Sequence, residues 1–328
     1  MIKTIALEEH YSAPQLSAKI DPALVSARGF RPRKVSPERN PLAMLADIGE
    51  QRLKQMDDHN IAIQVLSHSG PGCDILEGSQ GVEHAKAIND YLASKIALHP
   101  DRFRGFAHLP LREPKAAVRE LERTLREHKF VGAMVDGTTN GLFLDDPMYD
   151  DLLSCAEELD VPIYLHPALA PAAVREVYYS RLPSGTDRVL ETGGWGWHSE
   201  TAIHVLRLVV SGALQKHPRL KLIIGHMGEM IPVMLARFDD MFEQDIEHLN
   251  EPISKTILKH VWITTSGIFT QTPLRAALET FGIDRMMFSV DYPFSKNEAA
   301  KAFFDEIKLP QDQLEKLAQG NARQLLKI

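Results

Sequence analysis

The chain has 328 residues, of which 44% are hydrophobic and 25% charged. This is the ordinary range of a globular protein with enough apolar residues for a sizeable core. Lys and Arg number 37 against 44 Asp and Glu, a net charge of -7. With no basic block or basic aromatic stripe, nucleic acid and anionic membrane are not the expected partners.

The opening MIKTIALEEH lacks a basic region followed by an apolar run, so no signal peptide is expected. No apolar run reaches the roughly 18 residues of a membrane span. Two cysteines, Cys73 and Cys155, build no disulfide framework, and a reducing cytoplasmic setting fits. In MYDDLLSCAEEL, Cys155 reads as a small buried hydrophobe in a helix.

In chain order, β-rich runs alternate with helical patterns. The runs are Lys3–Leu7, Ile61–Leu66, Arg104–His108, Gly132–Val135, Pro162–Leu165, Lys221–Ile224, Val261–Thr265 and Met286–Val290. Asn60, following DDH, reads as a left-handed helix cap. Ile88, Leu92 and Ile96 repeat at helical spacing. So do Val118, Leu121 and Leu125, after a Pro114 suited to a first turn. Val205, Leu208, Val209 and Leu214 form a third stripe. A helical pair, Gln311–Gln319 and Ala322–Leu326, is expected to close the structure. Eight strand–helix repeats predict a (β/α)₈ TIM barrel, one domain over residues 1–328.

Two connections are long: Tyr11 to about Pro41, and Pro167 to about His198. Loops after barrel strands lie at the catalytic face, and long ones there are candidate lids. The second carries Tyr178, Tyr179, Arg181, Arg188, Trp195 and Trp197. These suit covering a flat ring, or equally an oligomer contact.

The residues closing each strand carry the chemistry. Strand 1 ends in Glu8-Glu9-His10; Glu8 and His10, two apart, point to one side of an extended segment. Strand 5 ends in His166-Pro167, strand 6 in Gly225-His226-Met227-Gly228-Glu229, and strand 8 in Asp291-Tyr292-Pro293. A barrel gathers these ends around one mouth. The mixed nitrogen and oxygen donors suit Zn²⁺ or Mn²⁺. His68 and His108, also near strand ends, are read as structural. So are His59, His84, His99, His128, His204, His217, His248 and His260, on helices or their termini.

The order ExH, His, GHMGE and VDYPF resembles the amidohydrolase-2 branch of the amidohydrolase superfamily. Within it the chain is similar to γ-resorcylate (2,6-dihydroxybenzoate), 2,3-dihydroxybenzoate and 5-carboxyvanillate decarboxylases. The likeness extends through HPDRFRGFAHLPL and SGALQKHPRLKLIIGHMGE. The resemblance implies that Glu8, His10, His166 and Asp291 bind one divalent metal ion. It makes His226 a catalytic residue outside the metal's ligands, oriented by Glu229. Arg237, in PVMLARFDD, looks like the substrate-binding arginine, and Phe294 would lie against the aromatic ring. Relatives form dimers or tetramers, so a homo-oligomer is implied.

Binuclear members bridge two metals with a carboxylated lysine after strand 4; this chain has Val135-Asp136-Gly137 there. It also has Glu8 where those members place a histidine. Both favour one metal. Relatives commonly carry Asn where Asp136 stands, and the extra charge disfavours an acidic group nearby unless protonated or paired.

The expected activity is non-oxidative decarboxylation of an ortho-hydroxylated aromatic acid, with Asp291 delivering a proton to the ring carbon. His226 is the alternative donor. The rival is a mononuclear hydrolase of a lactone, amide or ester, or a hydratase, on the same scaffold.

Overall fold

The computed structural model describes residues 2–30, 41–183 and 185–328. Among the described residues nine strands run in parallel: β1 (Thr4–Tyr11), β2 (Ile61–His68), β3 (Phe103–Gly105), β4 (Ala107–His108), β5 (Ala133–Asp136), β6 (Pro162–His166), β7 (Lys221–Ile224), β8 (Val261–Thr264) and β9 (Met286–Met287). They pair in sequence order, as β1–β3 and β4–β9.

β3 and β4 are one barrel position interrupted at Phe106, whose amide still reaches Leu66 O at 2.9 Å. The ring is closed by a bridge between Glu9 and Tyr292 and by His10 N donating to Tyr292 O at 2.7 Å. With β3 and β4 counted together the eight expected strands are present, in the parallel α/β arrangement expected. The last is shorter than the expected Met286–Val290, because side chains satisfy its amides. Ser289 N donates to Thr265 Oγ1 and Val290 N to Glu9 Oε1.

The expected helical stripes lie on helices Gly78–Ile96, Pro114–His128 and Gly196–Val210, which bury Ile88 and Leu92, Leu121, and Val205, Leu208 and Val209. Leu214 is buried on the next short helix, Ala213–Lys216. Asn60 takes the left-handed conformation, φ +60°. Cys155 packs in the core.

The apolar residues divide into two layers. The larger fills the space between strands and helices. The smaller gathers Ile5, Leu7, Ile63, Val65, Phe106, Met134, Tyr164, Ile223 and Met287 with Ala322, Leu325 and Leu326. The final helix, Asn321–Leu326, therefore caps the barrel's inner core. The expected first helix of that pair is split into Gln311–Glu315 and a wide turn, Lys316–Gly320. Leu317 O in that turn accepts from Phe288 N at 2.9 Å.

The loop after β1 contains helices Pro14–Ser17 and Pro22–Arg28, and residues 31–40 lie outside the described residues. The loop after β6 contains helices Ala172–Tyr178 and Thr186–Glu191. The two loops interlock. Arg28 Nη2 donates to Leu169 O at 3.1 Å, and Arg175 Nη2 to Arg28 O at 3.3 Å. Tyr179 is buried, whereas Tyr178 and Trp195 are largely exposed.

Candidate active site

Glu8 and His10 reach the mouth because β1 breaks its ladder between Ala6 and Glu9. Within this irregularity Leu7 packs in the inner core, and the next residue, Glu8, also reaches inward to the Tyr164 hydroxyl.

Glu8 Oε2 accepts short hydrogen bonds from the hydroxyls of Tyr164 and Ser266. Burial, with the Glu8 charge beside it, pushes the Tyr164 phenol up, so it remains a donor. A Cβ on Gly225 would collide with the Glu8 carboxylate, which is why glycine precedes His226. The other oxygen, Oε1, is buried with no hydrogen-bond partner.

Both expected histidine ligands are pinned through Nδ1. His10 Nδ1 lies 3.1 Å from Ser67 Oγ, and His166 Nδ1 lies 2.7 Å from Asp136 Oδ1. Each ring thus presents Nε2. His10 Nε2, also buried without a hydrogen bond, is 3.2 Å from Asp291 Oδ1; His166 Nε2 is 3.5 Å from Glu8 Oε1. One donor atom from each of Glu8, His10, His166 and Asp291 lies within 4.8 Å of the others. Orphaned donors aimed at one point, with nothing else to satisfy them, fit a cation. Two imidazoles and two carboxylates suit a borderline divalent ion.

Asp136 thus has a partner. Burial raises its carboxyl, but the hydrogen bond and charge of His166 outweigh this and hold it below its usual value. It is the carboxylate that orients a candidate metal-ligating histidine. Desolvation likewise opposes the proton on His166, and the Asp136 hydrogen bond overcomes it, raising that imidazole. Burial pushes Asp291 up, yet His10 and His226 hold it down at about 2.

His226 stands beside this group, its Nε2 3.7 Å from Glu8 Oε1 and 3.9 Å from Asp291 Oδ2. Its Nδ1 donates to Glu229 Oε1 at 2.8 Å. Desolvation lowers this imidazole, but Glu229 and Glu8 raise it well above the ordinary histidine value. Glu229 is pushed up by burial and pulled down further by His226 and His198. Non-glycine residues take left-handed φ values here: His226 +50°, Met227 +55°, Glu229 +52°, Met230 +65° and Asp291 +72°. Such backbone costs on the order of 1–3 kcal/mol per residue and collects where geometry is dictated by function.

Phe294 is at the mouth, its ring centroid 5.5 Å from that of His10 and 54% of its surface exposed. Arg237 is not brought to this group within the single chain. It lies on helix Leu235–Phe242 with its side chain 59% exposed, and Nη1 donates to Asp240 Oδ2 at 3.0 Å. The helix packs Leu235, Phe238 and Phe242 against the core and leaves the Arg237 side chain to solvent.

Several partners escape a reading of strand ends. Tyr164 could have been found, because it stands two positions before His166 on the same face. Ser67 precedes a strand end and Ser266 follows one, but nothing in their spacing marks them. His198 faces Glu229 Oε2 from the end of the long loop after β6, at 2.6 Å. Arg52, fully buried, holds His10 O at 2.6 Å and carries its guanidinium over the Tyr292 ring. His108 accepts from Cys73 N and His204 from Leu144 N, as structural histidines do.

A parallel barrel whose strand ends converge on a cation site defines a metal-dependent TIM-barrel class. The amidohydrolase family model Amidohydro_2 matches residues 45–328, and the chain belongs to that family. It is 38% identical to "Decarboxylase orsB" of Emericella nidulans, over 99% of this chain and 97% of that one. It is 36% identical to "Gamma-resorcylate decarboxylase" of a Polaromonas species, over 99% and 98%. A solved dihydroxybenzoic acid decarboxylase from Polaromonas, with bound manganese and the inhibitor 2-nitroresorcinol, superposes with a TM-score of 0.89. It shares 34% identity over 100% of this chain and 97% of that one.

Proposed function

We propose that this protein is a metal-dependent carboxy-lyase that removes CO₂ non-oxidatively from an ortho-hydroxylated aromatic acid of the dihydroxybenzoate type. The observation that carries the reading is the site's division of labour. Four side chains bring one ligand atom each within 4.8 Å of one another, with Glu8 Oε1 and His10 Nε2 buried and unsatisfied, and His226 stands beside them, held by its own carboxylate. Full-length relatives named decarboxylases support it. So does 2-nitroresorcinol bound to the Polaromonas protein, since its nitro group sits between two ring hydroxyls as a carboxylate does in 2,6-dihydroxybenzoate.

Loss of CO₂ directly from an arene would leave a phenyl anion. Protonating the carboxyl-bearing carbon first avoids that, and departure of CO₂ then restores aromaticity. Glu8, His10, His166 and Asp291 would hold one divalent ion, Zn²⁺ or Mn²⁺. The ion would supply Lewis-acid charge for the carboxylate and the adjacent phenolic oxygen. Phe294 offers its face to the ring. His226, oriented by Glu229, holds a proton at a ring hydroxyl. Asp291 delivers the proton to the ring carbon. The second reading, with His226 as donor, has one observation in its favour: its surroundings raise its proton affinity while those of Asp291 lower it.

The protein acts as one barrel domain in the cytoplasm, as a homodimer or homotetramer. Exposed Val233, Met234 and Met241, which flank Arg237 in the sequence, supply apolar surface for such a contact. Arg237 serves the substrate only if the contact gives its helix a new environment. No described helix is long and apolar enough to cross a membrane.

The test is a panel of salicylate, 2,3- and 2,6-dihydroxybenzoate and carboxyvanillate with metal-replete protein, following ultraviolet absorbance and released CO₂. Turnover of at least one acid is expected. Silence on all, with hydrolysis of lactones or esters, overturns the reading. Asp291→Asn that keeps its metal and near-full turnover removes Asp291 as donor. Arg237→Ala is expected to raise KM; an unchanged KM removes it from substrate binding.

A further inference from the structure

Glu229 is claimed from two sides. His226 donates to Oε1, and Oε2 lies 2.6 Å from His198 Nδ1. His198 is the third residue of helix Gly196–Val210, where the loop after β6 ends. Its other nitrogen, Nε2, lies 3.0 Å from Gly193 O. A carbonyl oxygen only accepts, so Nε2 carries a hydrogen. A second hydrogen must lie between Nδ1 and Oε2, because two lone pairs at 2.6 Å repel. Whichever atom holds it, His198 and Glu229 are joined by a short, charge-assisted bond. The His198 and His226 rings also meet edge to face, centroids 4.8 Å apart.

Among the described residues the partners of the Glu229 carboxylate are imidazoles, His226 on Oε1 and His198 on Oε2, and the residue stands in a left-handed run. Its φ is +52°, between Gly228 at +86° and Met230 at +65°. The plane of the carboxylate is therefore fixed from its ends, by one histidine on each oxygen. The loop base that carries His198 is tightly wound. A Cβ on Gly194 would lie 2.6 Å from Val189 O, and Gly194 N donates to that same oxygen at 2.9 Å.

We propose that His198 is a positioning residue: through Glu229 Oε2 it fixes the carboxylate plane and, with it, the ring of His226. It also fastens the base of the loop after β6, by Gly193 O, to the His226–Glu229 pair. The role in turnover rests on the decarboxylase reading above; the hydrogen bond itself does not.

The test compares His198→Ala and His198→Asn, alone and in a Glu229→Ala background, in metal-loaded protein. Asn keeps a short N–H donor without the ring. For His198→Ala, kcat is expected to fall roughly 10- to 100-fold, the range of lost orienting partners. KM for the acid and metal content should stay within about twofold of wild type, and His198→Asn should recover most of the loss. In the Glu229→Ala background, His198→Ala should cost nothing more. A parallel readout needs no substrate: a low-field imidazole N–H proton resonance in wild type, absent from His198→Ala and Glu229→Ala.

Unchanged kcat in His198→Ala overturns the proposal. So does a full additional loss in the Glu229→Ala background, or a kcat loss matched by loss of metal. If wild type turns over no aromatic acid, the decarboxylase reading has failed. The resonance then decides the link alone: present and lost in both variants it stands, absent it falls.

Discussion

Two groups of imidazoles and carboxylates lie side by side at the barrel mouth, and they differ in what is left over. In Glu8, His10, His166 and Asp291, outside partners hold Glu8 Oε2 and the far nitrogen of each ring, leaving Glu8 Oε1 and His10 Nε2 orphaned. In His198, His226 and Glu229, both carboxylate oxygens are taken by Nδ1 atoms within the group, and the nitrogen left over, His226 Nε2, faces the first group 3.7 Å from Glu8 Oε1. Both groups have the composition and spacing of a metal site. Only the first has the unmet bonding demand of one. The second has spent its carboxylate on its own two imidazoles, which suits holding a proton and a ring orientation. Counting unsatisfied atoms separates them where counting ligand types does not.

The sharpest way to break the contrast is to remove a ligand from the first group. His166→Ala or Glu8→Gln is expected to abolish stoichiometric metal, read by elemental analysis, and to cut turnover by more than about 10³-fold, since several kcal/mol of charge stabilisation go with it. A fully active variant would end the distinction. His226→Asn should leave metal content intact while lowering kcat by roughly 10²–10⁴, the range of a lost general acid or base. Metal loss there would move His226 into the first group.

Asp136→Asn sharpens the boundary. A neutral amide orients His166 less strongly, and affinity for the ion is expected to weaken by about 10- to 100-fold in a chelator competition. Unchanged affinity would make the Asp136 contact incidental.

The smallest expected effect concerns a histidine outside both groups. Burial lowers His204 to about 3, and its Nε2 accepts from Leu144 N, so it stays neutral in the fold. The unfolded chain binds a proton there below about 6.5. Its contribution is therefore present above that value and lost as the pH falls towards 3, by at most about 1.4 kcal/mol per unit. Denaturant midpoints between pH 7 and 4 should fall more steeply for wild type than for His204→Gln. Parallel slopes would refute this.

The first group was legible because its members stand at strand ends, where parallel topology turns sequence order into a ring. His226 and Glu229 were legible for the same reason. The supports were not. His198 arrives from a loop whose path depends on packing, and Arg52 arrives from a helix behind the mouth. Period-two and period-3.6 patterns report which face is apolar, not which distant hydroxyl will meet a carboxylate. The shortened last strand went unread because Ser289 and Val290 look like a strand and bond like a loop. Asp136 read as an unwelcome charge because its partner lies on the neighbouring strand.

The barrel is sealed by residues far apart in the chain: Ser289 Oγ accepts from Glu8 N across 281 positions, and Leu325 and Leu326 pack with Ile5 and Leu7. During synthesis the first strand therefore leaves the ribosome long before its neighbours on that side exist. Its apolar face and its acidic tip must wait, exposed, for the closing segment. Until that segment is made, the growing chain lacks both Asp291 for its cation site and the final helix that covers the inner core.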